Sequence, residues 1–227
     1  MTPLYVDNHL LVIEKNAGQL SQADRTGDTD LLSTWRQYIK VRFDKPGNVF
    51  LGLVHRLDRP VSGVMVFART SKAAARLSDQ FRANTIEKTY LALVEGRPGY
   101  SGTMEDYLLK KGKRVKCVKP DKKGAKKARL SFRTLAESGG QSLVEIKLET
   151  GRSHQIRVQF STRGCVLVGD RKYGAKSVFD GKNLALHASS LSFDHPTRSE
   201  RLLFRSSLPA TWPDLFREIA SRDQGLK

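Results

Sequence analysis

Two apolar, β-branched runs, Val49–Val54 and Val64–Ala68, bracket a polar connection, HRLDRPVSG, at residues 55–63. Runs of this length and composition read as buried strands. The chain must therefore build a sheet that holds this connection between two strands. The remaining elements follow from the same patterns. Leu10–Glu14 is a short strand, and in Asp30–Phe43 the residues Leu31, Trp35 and Ile39 recur at helical spacing. Thr70 or Ser71 can cap a helix in which Ala74, Leu77 and Phe81 share a face, before Lys88–Glu95 turns β-like. Strands are expected at Leu130–Leu135, Leu143–Glu149 and Leu184–Phe193. Helices are expected after Gly151, with Ile156 and Phe160 on one face, and at Thr211–Ser221, carrying Trp212, Leu215 and Ile219. With about eight strands, four helices and strands adjacent in sequence, the expectation is α+β, with a mixed, largely antiparallel central β-sheet and flanking helices. No repeat or composition shift marks a boundary, so residues 1–227 read as a single domain.

Charge narrows the choice of partner. Forty Lys and Arg face 23 Asp and Glu, a net charge of +17, while 39% hydrophobic content suffices for a packed interior. Such a balance suits a polyanion. Residues 110–129 hold eleven Lys/Arg against one acid, Asp121, and with Gly112, Pro120 and Gly124 interspersed they read as a basic loop or hairpin insertion. That insertion is either a nucleic-acid contact or simply hydrated surface. Cys117 and Cys165, with no Cys/His cluster beside them, argue against a disulfide framework and a structural zinc site. Neither a signal peptide nor an apolar run long enough for a membrane span is present, so a cytoplasmic monomer is expected, with no membrane partner.

Familiar site types are excluded by the patterns they require. No GxSxG, HExxH, GxxxxGK[ST] or GxGxxG occurs, and five dispersed histidines show no ligand spacing, so no metal and no cofactor is expected. What stands out is Asp58, a carboxylate between Arg56 and Arg59. It is either a turn residue that hydrogen-bonds its own backbone or a carboxylate kept ionised by a neighbouring guanidinium, and so able to act as nucleophile or base. A second basic segment, Gly151 to Arg157, offers Arg152, His154, Gln155 and Arg157, groups suited to phosphates and base edges.

The strings HRLDRPVSGVMVFART (55–70), EKTYLALVEG (87–96), TGRSHQIRVQF (150–160), VGDRKYG (168–174) and LALHASSLSFDHP (184–196), in that order, resemble the motif set of the RluA-type pseudouridine synthases. A weaker match lies at EKNAG (14–18). Asn16 and Val61 depart from the common residues there and in the first string, and since the match begins within the first few residues, the N-terminal S4 domain of many relatives is not expected. The resemblance implies the pseudouridine synthase fold, structured RNA (rRNA or tRNA) as substrate and a cofactor-free isomerisation. It makes Asp58 the essential aspartate, Tyr90 the motif tyrosine and Arg157 the arginine that pairs with the catalytic carboxylate. Arg56 would occupy the space of the displaced nucleotide. His55, Arg59, Arg152, His154, Gln155 and the lysines Lys122, Lys123, Lys126 and Lys127 are the further candidates for RNA binding.

The chemistry is compatible with these residues. Pseudouridine formation breaks the N1–C1′ bond, turns the uracil and rejoins it through C5, so it needs a carboxylate and a closed pocket but no electron sink. A stacked uridine must first be flipped out, at a cost of a few kcal/mol, which phosphate contacts offset. A non-catalytic RNA-binding or ribosome-assembly module with the same fold is the alternative. A DNA-binding protein is weaker, since no helix-turn-helix or zinc-finger pattern appears.

Overall fold

The computed structural model describes residues 2–225. In chain order the strands are β1 (Tyr5–Val6), β2 (Leu10–Lys15), β3 (Gly52–Leu53), β4 (Ser62–Ala68), β5 (Glu87–Glu95), β6 (Ser101–Lys111), β7 (Arg114–Val118), β8 (Lys126–Ser138), β9 (Gln141–Leu148), β10 (Leu186–Asp194) and β11 (Arg201–Arg205). The helices are α1 (Leu31–Arg42), α2 (Ser71–Ala83), α3 (Gln155–Thr162) and α4 (Asp214–Asp223), with one turn of 3₁₀ helix at Arg171–Tyr173. The fold is α+β with a largely antiparallel sheet. The chain divides into two compact units, one holding the residues up to Ile86 with Ser190–Ser206, the other Glu87–Ser189 and the chain from Ser207 onward.

In the first unit β2 pairs antiparallel with both β1 and β4. Leu10 to Ile13 are all fully buried, which is why this strand reads as a continuous apolar run without alternation. Asp30 caps α1 by accepting from the Ser33 N–H at 3.0 Å, and Thr70 caps α2 by accepting from the Ala73 N–H at 3.1 Å. Helix α2 lays Ala73 and Leu77 against Val64, Val66 and Phe193. The expected strand Val49–Val54 shrinks to β3, because only Gly52 and Leu53 reach β4, opposite Ala68 and Phe67, before the chain leaves for the HRLD connection.

The second unit is an antiparallel succession in which β5 pairs with β9, β9 with β8, β8 with β6, and β6 with β7. The end of β6 and β7 form a hairpin, one of the two readings given for residues 110–129, whereas the start of β6 lies where no strand is expected from sequence, as do β1 and β11 elsewhere. The lysines and arginine around the β6–β7 turn score poorly as strand residues, and their ladder partners override that preference. Residues 110–129 are thus the end of β6, all of β7 and the start of β8, joined by turns. Two helices differ from expectation. Helix α3 is buried from Gln155 to Phe160, not amphipathic, because its polar side chains find partners inside. Helix α4 starts after Pro213 and buries Phe216 and Ala220, while Leu215 is 49% exposed. Proline cannot donate an N–H and favours the entry to a helix, so the helix starts later and Phe216 takes the core position.

Candidate active site

The connection carrying Asp58 is held from below by its own unit. Lys15, at the end of β2 and fully buried, donates through Nζ to the carbonyls of Asn16 (3.1 Å), Arg59 (2.9 Å) and Val61 (2.6 Å). The Ser21 hydroxyl donates to the Leu57 carbonyl at 2.8 Å, the Gly18 N–H to the Arg59 carbonyl at 2.8 Å, and the Val61 N–H to the Asp58 carbonyl at 3.0 Å. Backbone groups on both sides of Asp58 are therefore satisfied internally. A half-buried carboxylate on so constrained a loop has its position fixed before any ligand arrives. The Lys15 pKa is lowered to about 7, chiefly by burial, with the Asp58 charge opposing the fall and the Arg59 charge adding to it. The Arg59 side chain donates to the Gly18 carbonyl and pairs with Asp28 at 2.7 Å, while Arg56 is exposed. His55 accepts from the Val66 N–H at 3.0 Å and stacks on Phe81.

Lys15 was not legible as a site residue, since a lysine closing an apolar run usually marks a strand leaving the core. Replacing it with methionine removes three donors and leaves the Val61 carbonyl unpaired, at a cost of ~1–3 kcal/mol, while the Arg59 carbonyl keeps the Gly18 N–H. We expect Lys15→Met to lose ~1–3 kcal/mol in urea unfolding and to lower kcat more than RNA affinity. A variant as stable and active as the parent would show that the loop holds its shape without this clamp.

In the second unit, Tyr90 lies on β5 opposite Ile146 of β9, which in turn lies opposite Phe132 of β8. Phe132 meets Phe160 of α3 at 5.5 Å between ring centroids, so α3 covers the sheet face that carries Tyr90. Arg157 of α3 is 5% exposed and donates from Nε to Asp170 Oδ2 (2.7 Å) and from Nη2 to Asp170 Oδ1 (2.8 Å), a bidentate fork with the VGDRKYG segment. Its guanidinium lies 5.2 Å from the Tyr173 ring centroid, and the Tyr173 hydroxyl is 2.8 Å from His154 Nδ1. His154 precedes α3 with φ 51°, a left-handed conformation uncommon outside glycine. The segment itself demands Gly169, with φ +81°, because a Cβ there would lie 2.5 Å from the Asn183 carbonyl oxygen.

Gln155 is 3% exposed and its amide is used within the chain. It accepts from the Thr150 hydroxyl (2.8 Å) and the Arg152 N–H (3.0 Å) and donates to the Arg129 carbonyl (3.1 Å). Arg152 is exposed and donates through Nε to the Lys127 carbonyl at 2.9 Å. Lys122, Lys123, Lys126 and Lys127 are all exposed, the first two in the turn between β7 and β8, and Lys127 pairs with Glu105 at 2.9 Å. Asp58 stands in the first unit; Tyr90, Arg157, Arg152, His154, Gln155 and the four lysines stand in the second. Asp170 is the residue that sequence reasoning missed here: its motif was visible, but nothing local said that it answers an arginine thirteen residues earlier.

Comparison with known proteins identifies the family and the fold. The family described as RNA pseudouridylate synthase matches residues 9–162. The chain is 32% identical over 95% of its length to a ribosomal large subunit pseudouridine synthase D of Zymomonas mobilis, covering 72% of that protein. It is 34% identical over 94% of its length to a tRNA pseudouridine synthase C of Vibrio parahaemolyticus, covering 92% of it. The solved human RNA Pseudouridylate Synthase Domain Containing 4 shares the fold with a TM-score of 0.78 at 24% identity, over 97% of this chain and 91% of that one. An α+β fold of this kind, with the HRLD aspartate on a clamped loop and a family match spanning both, places the chain in the RNA pseudouridylate synthase family, enzymes that isomerise uridine in RNA to pseudouridine.

Proposed function

We propose that this enzyme acts on specific uridines of structured ribosomal or transfer RNA, with Asp58 as the nucleophile or base at the sugar. The observation that carries the assignment is the loop around Asp58, whose carbonyls at Leu57, Asp58, Arg59 and Val61 are secured by Ser21, Val61, Gly18 and Lys15. A catalyst that must meet C1′ gains from being positioned in advance. Tyr90 stacks on the uracil, and Arg157, its fork fixed by Asp170, is the cation of the reaction. Arg56 fills the gap left by the flipped nucleotide. Arg59, Arg152 and His154 bind the RNA around it. His55 and Gln155 act on the RNA indirectly: His55 Nε2 accepts from the Val66 N–H of β4, and the Gln155 amide holds the Arg152 N–H and the Arg129 carbonyl. The reaction needs no cofactor or metal. No helix among the described residues is long and apolar enough to cross a membrane, and the enzyme works as a cytoplasmic monomer. Mapping pseudouridine across total RNA with and without the gene tests the reading. Loss of one or a few sites in rRNA or tRNA is expected, and an unchanged map overturns it.

The lysines of the β7–β8 turn and the start of β8 follow the RNA backbone. Replacing Lys122, Lys123, Lys126 and Lys127 with glutamine should flatten the dependence of log affinity on log salt by ~0.7–0.9 per phosphate contact removed. Single-turnover isomerisation at saturating RNA should change little. An unchanged slope makes this stretch plain hydrated surface.

A further inference from the structure

Lys88 is a buried cation for which the reaction has no use. It lies on β5 two residues before Tyr90, and since side chains alternate along a strand the two share the sheet face that α3 covers. Lys88 is 8% exposed. Its ammonium forms no ion pair and no side-chain hydrogen bond among the described residues, in contrast to Lys15, whose Nζ has three acceptors. The Lys88 Nζ lies beside Gly151, where a Cβ would be 3.9 Å away. The next residue is Arg152, whose Nε is tied to the Lys127 carbonyl and whose terminal nitrogens carry no bond to another described residue. Burial lowers the Lys88 pKa, and the Arg152 charge lowers it further, so each cation stands within the other's field. A largely buried ammonium without an acceptor is costly. Lys88 at Gly151, with the exposed Arg152 as the next residue, forms a site that is completed by an anion.

We propose that Lys88 and Arg152, meeting at Gly151, grip a single phosphate of the bound RNA strand. The inference rests on the RNA reading given above and names a subsite within it. Lysine supplies a compact point charge and arginine a fork matched to phosphate oxygens, and Gly151 keeps the approach open. Two residues along a strand span ~7 Å. With Tyr90 on the uracil, the phosphate at Lys88 belongs to the target nucleotide or its immediate neighbour. The subsite therefore fixes the strand next to the flipped base, whereas the lysines of the β7–β8 turn act farther along the backbone.

The test is the binding of a short oligouridylate by fluorescence anisotropy across a salt series, using the parent protein, Lys88→Met, Arg152→Gln and the double variant. Each single variant should give a slope shallower by ~0.7, the value for one single-strand phosphate contact. The double variant should fall no further, since both cations hold one phosphate. Lys88→Met should also melt no lower than the parent, because methionine fills the same space without the unpaired charge. An unchanged slope in either variant overturns the proposal, and a double variant with twice the loss overturns the single shared phosphate. Should Lys88→Met fail to fold, Arg152→Gln, on an exposed residue, decides alone. A gene-dependent pseudouridine site with unchanged slopes would retire the subsite and keep the enzyme, and shallower slopes with an unchanged map would do the reverse.

Discussion

Asp58→Asn is expected to abolish isomerisation while leaving the fold and RNA affinity close to those of the parent. Asparagine keeps the shape and can still accept a hydrogen bond, but it has neither the negative charge nor the nucleophilicity that attack at C1′ or removal of a sugar proton requires. Deleting such a group typically costs ~10⁴-fold or more in turnover. The loop should survive, because its shape is set by donors to the backbone carbonyls of Leu57, Asp58, Arg59 and Val61 and not by the Asp58 side chain alone. Tritium release from 5-tritiated uridine in RNA reports the chemistry, and filter binding reports affinity. Turnover within tenfold of the parent would remove Asp58 from the mechanism.

The largest effect on stability is expected at Asp170. Arg157 and Asp170 are 6% and 1% exposed at their side chains and joined by two short bonds. Asp170→Ala leaves a guanidinium buried without the acceptors of its Nε and Nη2, a situation that costs ~3–5 kcal/mol. For a chain of this size each kcal/mol lowers Tm by roughly 2–4 °C. Guanidinium unfolding should show a lower midpoint at unchanged slope. Combining Asp170→Ala with Arg157→Met should recover part of the loss, because the double change removes the buried guanidinium along with the carboxylate that held its Nε and Nη2. A single variant within ~1 kcal/mol of the parent would mean that the fork contributes little. Activity should fall in Asp170→Ala beyond what the loss of folded protein explains, since Arg157 would no longer be aimed.

What could be read in advance divides along physical lines. The alternating and continuous apolar runs of β4, β5 and β9, and the cap residues Asp30 and Thr70, act within a few residues of themselves, so local pattern was enough to place them. The motif strings singled out Asp58, Tyr90 and Arg157 as candidates in the same local way, because each lies in a short segment whose residue order is distinctive. For residues 110–129 the sequence left loop and hairpin open, since Lys110, Lys111 and Arg114 look like loop and become strand through the pairing of Lys110 with Val115 and of Lys111 with Arg114, while the start of β6 at Ser101 was not visible. Helix α3 was legible only in its core face, Ile156 and Phe160, since the burial of Arg157 and Gln159 depends on Asp170 and Asp106 being brought to them.

The sequence by itself determined the fold class, the family and the residue types available for the chemistry, because periodicity, capping and motif order are properties of neighbouring residues. Only the tertiary structure decided which polar side chains are spent inside the protein. It turned Lys15 into a clamp on the carbonyls of Arg59 and Val61, gave Arg157 its partner in Asp170, drew Gln155 inward and left Lys88 beside Gly151 without an acid. Each of these depends on a partner or a glycine from 3 to 63 residues away along the chain. A buried charge or amide is tolerated only where such a partner arrives, and folding alone determines the arrival.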